Sequence, residues 1–200
     1  MLCYYTESIK VSCRFADGIG YDSAPVQGVP LLVSDVAGDS GYSASLAATG
    51  LDATRALMCR GPRVNNAALN AGTCWLIALN GTDALAKVSE VELNAGVTEV
   101  YSTKMISMAT MSSTRAIACF MGDPSSNWNT CTAKCRLLDV DASGALAAGP
   151  ELALAPNNVN KAGKYGEVRA WVSALDESNA LACYQGAGLV CSAHTRPAPW

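Results

Sequence analysis

Leu51-Asp-Ala-Thr-Arg-Ala-Leu-Met-Cys-Arg60 returns as Met111-Ser-Ser-Thr-Arg-Ala-Ile-Ala-Cys-Phe120 and again as Leu175-Asp-Glu-Ser-Asn-Ala-Leu-Ala-Cys-Tyr184. The cysteines of these segments, Cys59, Cys119 and Cys183, lie 60 and 64 residues apart, and a period of that size fixes an architecture before any strand is assigned. Met1-Leu-Cys3-Tyr4 matches the end of the same segment and marks a fourth, truncated copy. A second motif follows the first. Counted from Cys74, the stretch CWLIALNGTDALAKVSEVELN aligns without a gap to CRLLDVDASGALAAGPELALA from Cys135, with seven identities. Cys13-Arg-Phe-Ala and Leu189-Val-Cys191-Ser occupy the same slot in the partial copies. The chain therefore divides into repeats at 1–37 (partial), 38–95, 96–156 and 157–200 (partial), read as a single domain over 1–200.

Each repeat predicts four short strands. Strand a is expected over Tyr42–Thr49, Val100–Ala109 and Val168–Ser173, and strand b over Thr54–Arg60 and its equivalents. Strand c should begin near Cys74 or Cys135, and strand d should run over Ala86–Leu93 or Ala147–Leu154. Asn80-Gly81 between c and d is a strong hairpin signal, and no ten-residue stretch keeps a helical period with caps. The expected fold class is all-β, a β-propeller-like array of four-stranded antiparallel blades. Radial packing of blades protects sheet edges, and alanine-rich strands let neighbouring sheets approach closely. A β-sandwich would need seven or more strands per repeat, more than 60 residues can supply.

One cysteine closes strand b and another opens strand c in every copy. The natural pairs are Cys3 with Cys13, Cys59 with Cys74, Cys119 with Cys135 and Cys183 with Cys191, since adjacent antiparallel strands bring such residues face to face. Each bond should contribute about 2–3 kcal/mol by closing a loop of the unfolded chain. Cys131 is left over, and pairing with Cys119, a free thiol or a bond to another subunit all remain open for it.

Nine cysteines in 200 residues point to an oxidising, extracellular setting. Zinc would need clustered ligands, yet the chain has no CxxC pair and only His194, so no metal or other cofactor is expected. Charged residues make up 16% against the usual roughly 25%. The net charge of -3 lacks the concentrated basic face that a nucleic acid requires. No apolar run reaches the ~18 residues of a membrane span. Met1 is followed by neither a basic nor an apolar leader segment, so secretion implies a mature product or an excerpt of a longer protein.

The loops between b and c, Gly61–Gly72 and Gly122–Lys134, and the d-to-a connection Pro156–Tyr165 should cluster at one end of the blades. Arg63, Asn65, Asn66, Asn127, Trp128 and the lysine of the Lys161-Ala162 step are the candidates there for a ligand or partner face, with plain solvated loops as the competing reading. Asn80-Gly81-Thr82 is an N-glycosylation sequon in an exposed turn. Asp139, Asp141 and Ser143 space oxygen ligands as some calcium loops do, although no bidentate glutamate follows, and a plain hairpin is favoured. No catalytic residue is assigned: His194 falls in a Pro-flanked tail, no nucleophile elbow or phosphate loop occurs, and Glu90, Glu92 and Glu151 fall on outer strands.

The pattern of a hydroxyl residue, Ala-Leu-x-Cys-aromatic, a later Cys-x-x-Leu and a strand like Gly149-Pro-Glu-Leu152 resembles the repeats of uncharacterised secreted β-propeller proteins of algae, other protists and bacteria. The resemblance implies a fold and an extracellular setting and carries no catalytic residue. The first copy lacks strand a and the last lacks strand d, while closed propellers have at least about four blades. A neighbouring subunit could complete such open ends, and head-to-tail repetition of that contact builds a filament when the rotation does not close. The expectation is an extracellular structural protein, a non-enzymatic subunit of a fibre or surface assembly that self-associates through β contacts. A glycan-binding or adhesive, lectin-like propeller is the second reading. A glycoside hydrolase with carboxylates from different blades meeting at an axis is the third.

Overall fold

The computed structural model describes residues 2–5, 11–14, 16–17, 26–27, 30–34, 45–61, 72–81, 84–93, 104–122, 130–154, 159–160, 170–185 and 189–195. These residues are all-β. The first sheet joins β1 (Leu2–Tyr5), β2 (Val11–Arg14) and β5 (Leu31–Ser34), with the small hairpin β3 (Ala16–Asp17) and β4 (Val26–Gln27) inserted before β5. The second sheet runs in sequence order through β6 (Leu46–Gly50), β7 (Arg55–Arg60), β8 (Thr73–Asn80) and β9 (Ala84–Glu92). The third repeats that order with β10 (Lys104–Ser112), β11 (Arg115–Gly122), β12 (Thr130–Val140) and β13 (Leu146–Ala153), and β14 (Val159–Asn160) pairs with the start of β12. The fourth holds β15 (Ala170–Ala174), β16 (Asn179–Gln185) and β17 (Leu189–Thr195). Every pairing among the described residues is antiparallel, and strands a to d of the repeat meander across the second and third sheets in order.

Three expected readings are corrected. The segment Gly122–Lys134, read as a loop from its polar composition, contributes Gly122 to β11 and Thr130–Lys134 to β12. Alternate β-branched Thr130 and Thr132 suit a ladder, and the registers Gly122↔Thr132 and Thr130↔Asn160 give the backbone partners on both sides. Val159 and Asn160, read as part of a d-to-a loop, form the second of those partners. His194 is likewise not in a tail, because β17 continues to Thr195 with His194 opposite Ala180.

The sheets stack face to face in chain order through three apolar clusters. Cys3, Cys13, Leu31 and Val33 of the first sheet meet Leu46, Met58, Trp75, Ile77 and Leu85 of the second. Leu57, Cys59, Cys74 and Leu76, on the second sheet's other face, meet Ile106, Ala116, Ala118, Phe120 and Leu138 of the third. Ile117, Cys119, Ala133 and Cys135 then meet Ala170, Ala180 and Ala182 of the fourth. In strands of period 2 only one face is buried when one side is covered. Ala56–Arg60 of β7 and Ala116–Phe120 of β11 are buried at every position because both faces are covered, whereas β16 alternates, with Ala180 and Ala182 buried and Leu181 exposed. Ala118 and Ala182, both fully buried, are small residues at these contacts. The described residues do not close into a ring.

Polar contacts tie the stack along its edges. Arg55 Nη2 donates to the Ser113 carbonyl at 3.0 Å, the Thr49 and Thr110 hydroxyls are 2.7 Å apart, and Ser89 Oγ donates to the Gly144 carbonyl at 2.8 Å. The ladders of the two hairpins between c and d end at the pairs Asn80↔Ala84 and Val140↔Leu146. Gly81 has φ 78° in the first and Gly144 φ 84° in the second, the left-handed region that glycine enters without cost. Asn80 stands opposite Ala84, so Asn80-Gly81 opens a longer loop than the two-residue turn that this dipeptide usually makes.

Candidate functional site

Four disulfides link β1 to β2, β7 to β8, β11 to β12 and β16 to β17, as Cys3–Cys13, Cys59–Cys74, Cys119–Cys135 and Cys183–Cys191. Each pair is directly opposed in register, with Cα atoms 4.0–4.1 Å apart, which places the bond across the two middle strands of the repeat. Four such bonds suit an oxidising, extracellular-type environment. Cys131 lies in β12 opposite Val159, four residues ahead of the bonded Cys135.

The turn from a to b carries the densest polar chemistry. Asp52 Oδ1 accepts from the Thr54 and Arg55 backbone N–H groups, both at 2.8 Å, and from Thr54 Oγ1 at 3.0 Å, while Oδ2 receives Arg55 Nε at 2.8 Å. Partial burial pushes this carboxyl up, but the Thr54 and Arg55 donors outweigh it and hold its pKa at about 2. Asp176 repeats the device with the Ser178 and Asn179 N–H groups and the Asn179 side-chain amide, which lower its pKa in the same direction. Ser112 takes the place of the aspartate in the third sheet and accepts from Thr114 N–H at 3.3 Å. These are side-chain-mimicked turns: their acceptors are consumed by their own backbone, so they close a hairpin and leave no reactive group. A hollow of about 160 Å³ is lined by Thr49, Asp52, Thr54, Arg55, Ile77 and Leu85, and its charged groups are that same satisfied ion pair.

The calcium candidates divide between two jobs. Asp139 faces Arg115 across the β11–β12 ladder and is ion-paired to it at 2.5 Å. Asp141 Oδ1 accepts from Ser143 N–H, Ser143 Oγ and Ala145 N–H at 2.7–2.9 Å, contacts that draw its pKa down, with the Ser143 hydroxyl the largest cause. Asp139, Asp141 and Ser143 are thus close in sequence but engaged by their own neighbours. Among the described residues no three His, Cys, Asp or Glu side chains gather as a metal site. Glu90 and Glu92 lie on the edge strand β9 and Glu151 on the edge strand β13. Glu90 accepts from Trp75 Nε1 at 3.0 Å and Lys87 Nζ at 3.1 Å, and Glu151 pairs with Lys134 at 3.0 Å. Lys87 first, then Trp75, lowers the Glu90 pKa.

Asn80 is exposed at the end of β8, at the mouth of its hairpin, and Thr82 of the sequon lies outside the described residues. Arg63, Asn65, Asn66, Asn127, Trp128 and the Lys161-Ala162 step also lie outside the described residues. Among the described residues no helix is long and apolar enough to cross a membrane.

The outer face of the fourth sheet is a feature that the sequence reading missed. Trp171 and Ser173 of β15, Leu181 and Cys183 of β16, and Cys191 and Ala193 of β17 stand opposite one another in register on that face. Trp171 is 42% exposed, Leu181 37% and Leu175, in the adjoining turn, 62%. No charged residue stands among these positions, whereas a sheet face that meets water ordinarily carries polar and charged residues. The signal in the sequence was the repeat itself: Leu181 sits where Leu57 and Ile117 sit, two residues ahead of the b-strand cysteine, and those two are buried. No protein-family model, no curated protein and no solved structure matches the chain.

Proposed function

We propose that this chain is an extracellular structural protein whose sheets are propeller-like blades, and that it works as a subunit of a fibre or surface assembly built by contacts between subunits. The observation that carries the reading is the outer face of the fourth sheet, where Trp171, Leu175 and Leu181 are exposed among the described residues. Exposed apolar patches of that kind mark interaction surfaces on soluble proteins. Leu32, 47% exposed on the first sheet, gives the other end of the stack an apolar residue as well. The four disulfides support secretion, and the ion-paired or turn-bound carboxylates described above support a non-catalytic role. Multi-angle scattering and negative-stain images of the oxidised full chain test it. Ordered oligomers or polymers support assembly. A monomer at every accessible concentration contradicts it, and a monomer retained on a glycan array supports the lectin-like reading instead.

A further inference from the structure

Resting on that assembly reading, we propose that the disulfide-bearing face of the fourth sheet docks a second copy of this chain, which covers it with the outer face of its own first sheet. The structure contains this contact three times already. In each of the three clusters the disulfide face of one sheet lies against the opposite face of the next, always in the same direction along the chain. On the fourth sheet the corresponding face leaves Trp171, Leu181 and Cys191 exposed among the described residues.

Position by position the comparison is direct. At the start of the a-to-b turn, Leu51 is 7% exposed, Met111 9% and Leu175 62%. Two residues before the b-strand cysteine, Leu57 is 0% exposed, Ile117 4% and Leu181 37%. Among the c-strand cysteines, Cys13, Cys74 and Cys135 are buried and Cys191 is exposed. The residues that the first three sheets bury under a neighbour are thus the ones that the last sheet leaves in solvent.

The same repetition identifies the cover. The residue preceding the b-strand cysteine of each following sheet, Met58, Ala118 or Ala182, belongs to the cluster that contains the preceding disulfide. Leu2 holds this register position in the first sheet, one residue before Cys3 and opposite Arg14, and on the same face of β5 Leu32 is 47% exposed opposite Ser12. A second copy therefore presents the exposed Leu32 on the face that holds this register position. The contact is heterologous, so each added copy exposes a fresh acceptor face, and the rotation per copy decides between a ring and a filament.

The test is sedimentation velocity of the oxidised full chain as wild type, Leu181→Arg, Leu175→Arg and Leu32→Arg, with Glu92→Arg on an outer strand as the control and circular dichroism to verify folding. Assembly of the wild type and of the control, weakened at least tenfold in the other three, is the expected result. An equal mixture of Leu181→Arg and Leu32→Arg should give a dimer, because each variant retains the face that the other has lost; this also shows that both are folded. Wild-type assembly that is indifferent to all three substitutions overturns the assignment of the face and leaves the assembly reading standing. A mixture that stays monomeric overturns the head-to-tail order. A monomeric wild type overturns the reading and the inference together.

Discussion

Cys13 Sγ lies 3.3 Å from Met58 Sδ, so the disulfide of the first sheet rests on the middle strand of the second. Ala118 and Ala182 occupy the same register position in the later sheets, which makes Met58 the one long side chain to reach a preceding disulfide in this way. Met58 is fully buried. Met58→Ala should therefore destabilise the oxidised chain by about 2–5 kcal/mol, the usual range for emptying such a site, and Met58→Leu by less than about 1.5 kcal/mol. Denaturant unfolding of the two variants checks this, and an alanine variant as stable as wild type would show that the first sheet does not pack on the second.

Gly81 and Gly144 both have positive φ, but their surroundings differ. An added Cβ meets nothing within 4 Å at Gly81, whereas at Gly144 it comes 3.2 Å from Val88 Cγ1 on the neighbouring sheet. Gly81→Ala should cost about 1–2 kcal/mol of backbone strain, and Gly144→Ala more than that. Combining Gly144→Ala with Val88→Ala should bring the cost back towards the Gly81 value, since non-additivity of neighbours reports their contact. Additive costs in the double variant would remove the contact between the second and third sheets at this point.

The Asp52 carboxyl, held at about 2, gives a pH signature with a fixed sign. Its folded pKa lies below the ordinary 3.8, so the stabilisation from its Thr54 and Arg55 contacts is complete above pH 3.8 and is lost as pH falls through about 2. Asp52→Asn retains the oxygen that accepts from the turn N–H groups and removes the charge opposite Arg55. The ion pair is partly exposed, so the variant should be less stable by about 0.2–1 kcal/mol at neutral pH. That difference should shrink to nothing at the acid end of the window, as followed by urea unfolding at stepped pH. A difference that grows on acidification would contradict the assignment.

Much of the fold was legible because one local pattern is repeated. A cysteine ending b and another opening c face each other in an antiparallel register, so Cys59 with Cys74 was legible, while Cys119 with Cys135 was the pairing that keeps the alignment gapless, with Cys131 left open until the structure joined Cys119 to Cys135. Strand limits were less legible where composition and pairing disagree. Thr130–Lys134 reads as loop from its polar residues, yet β11 and β14 supply ladder partners from elsewhere in the chain. His194 reads as tail because Pro197 and Pro199 follow, although the strand ends before them. The open face was hidden for a different reason. Leu57, Ile117 and Leu181 look alike in sequence, and which one stays exposed depends on how many sheets are stacked, a number that no single repeat encodes. The Asp52 clasp was present in Leu51-Asp-Ala-Thr-Arg55 as an Asp ahead of a turn, a known backbone-binding signature.

The account depends on each repeat being one sheet with its own bond between the middle strands. Peptide mapping of the oxidised chain under non-reducing conditions tests that most directly. The structure predicts Cys3–Cys13, Cys59–Cys74, Cys119–Cys135 and Cys183–Cys191. A peptide joining Cys119 to Cys131, or any bond between cysteines of two different repeats, would contradict it.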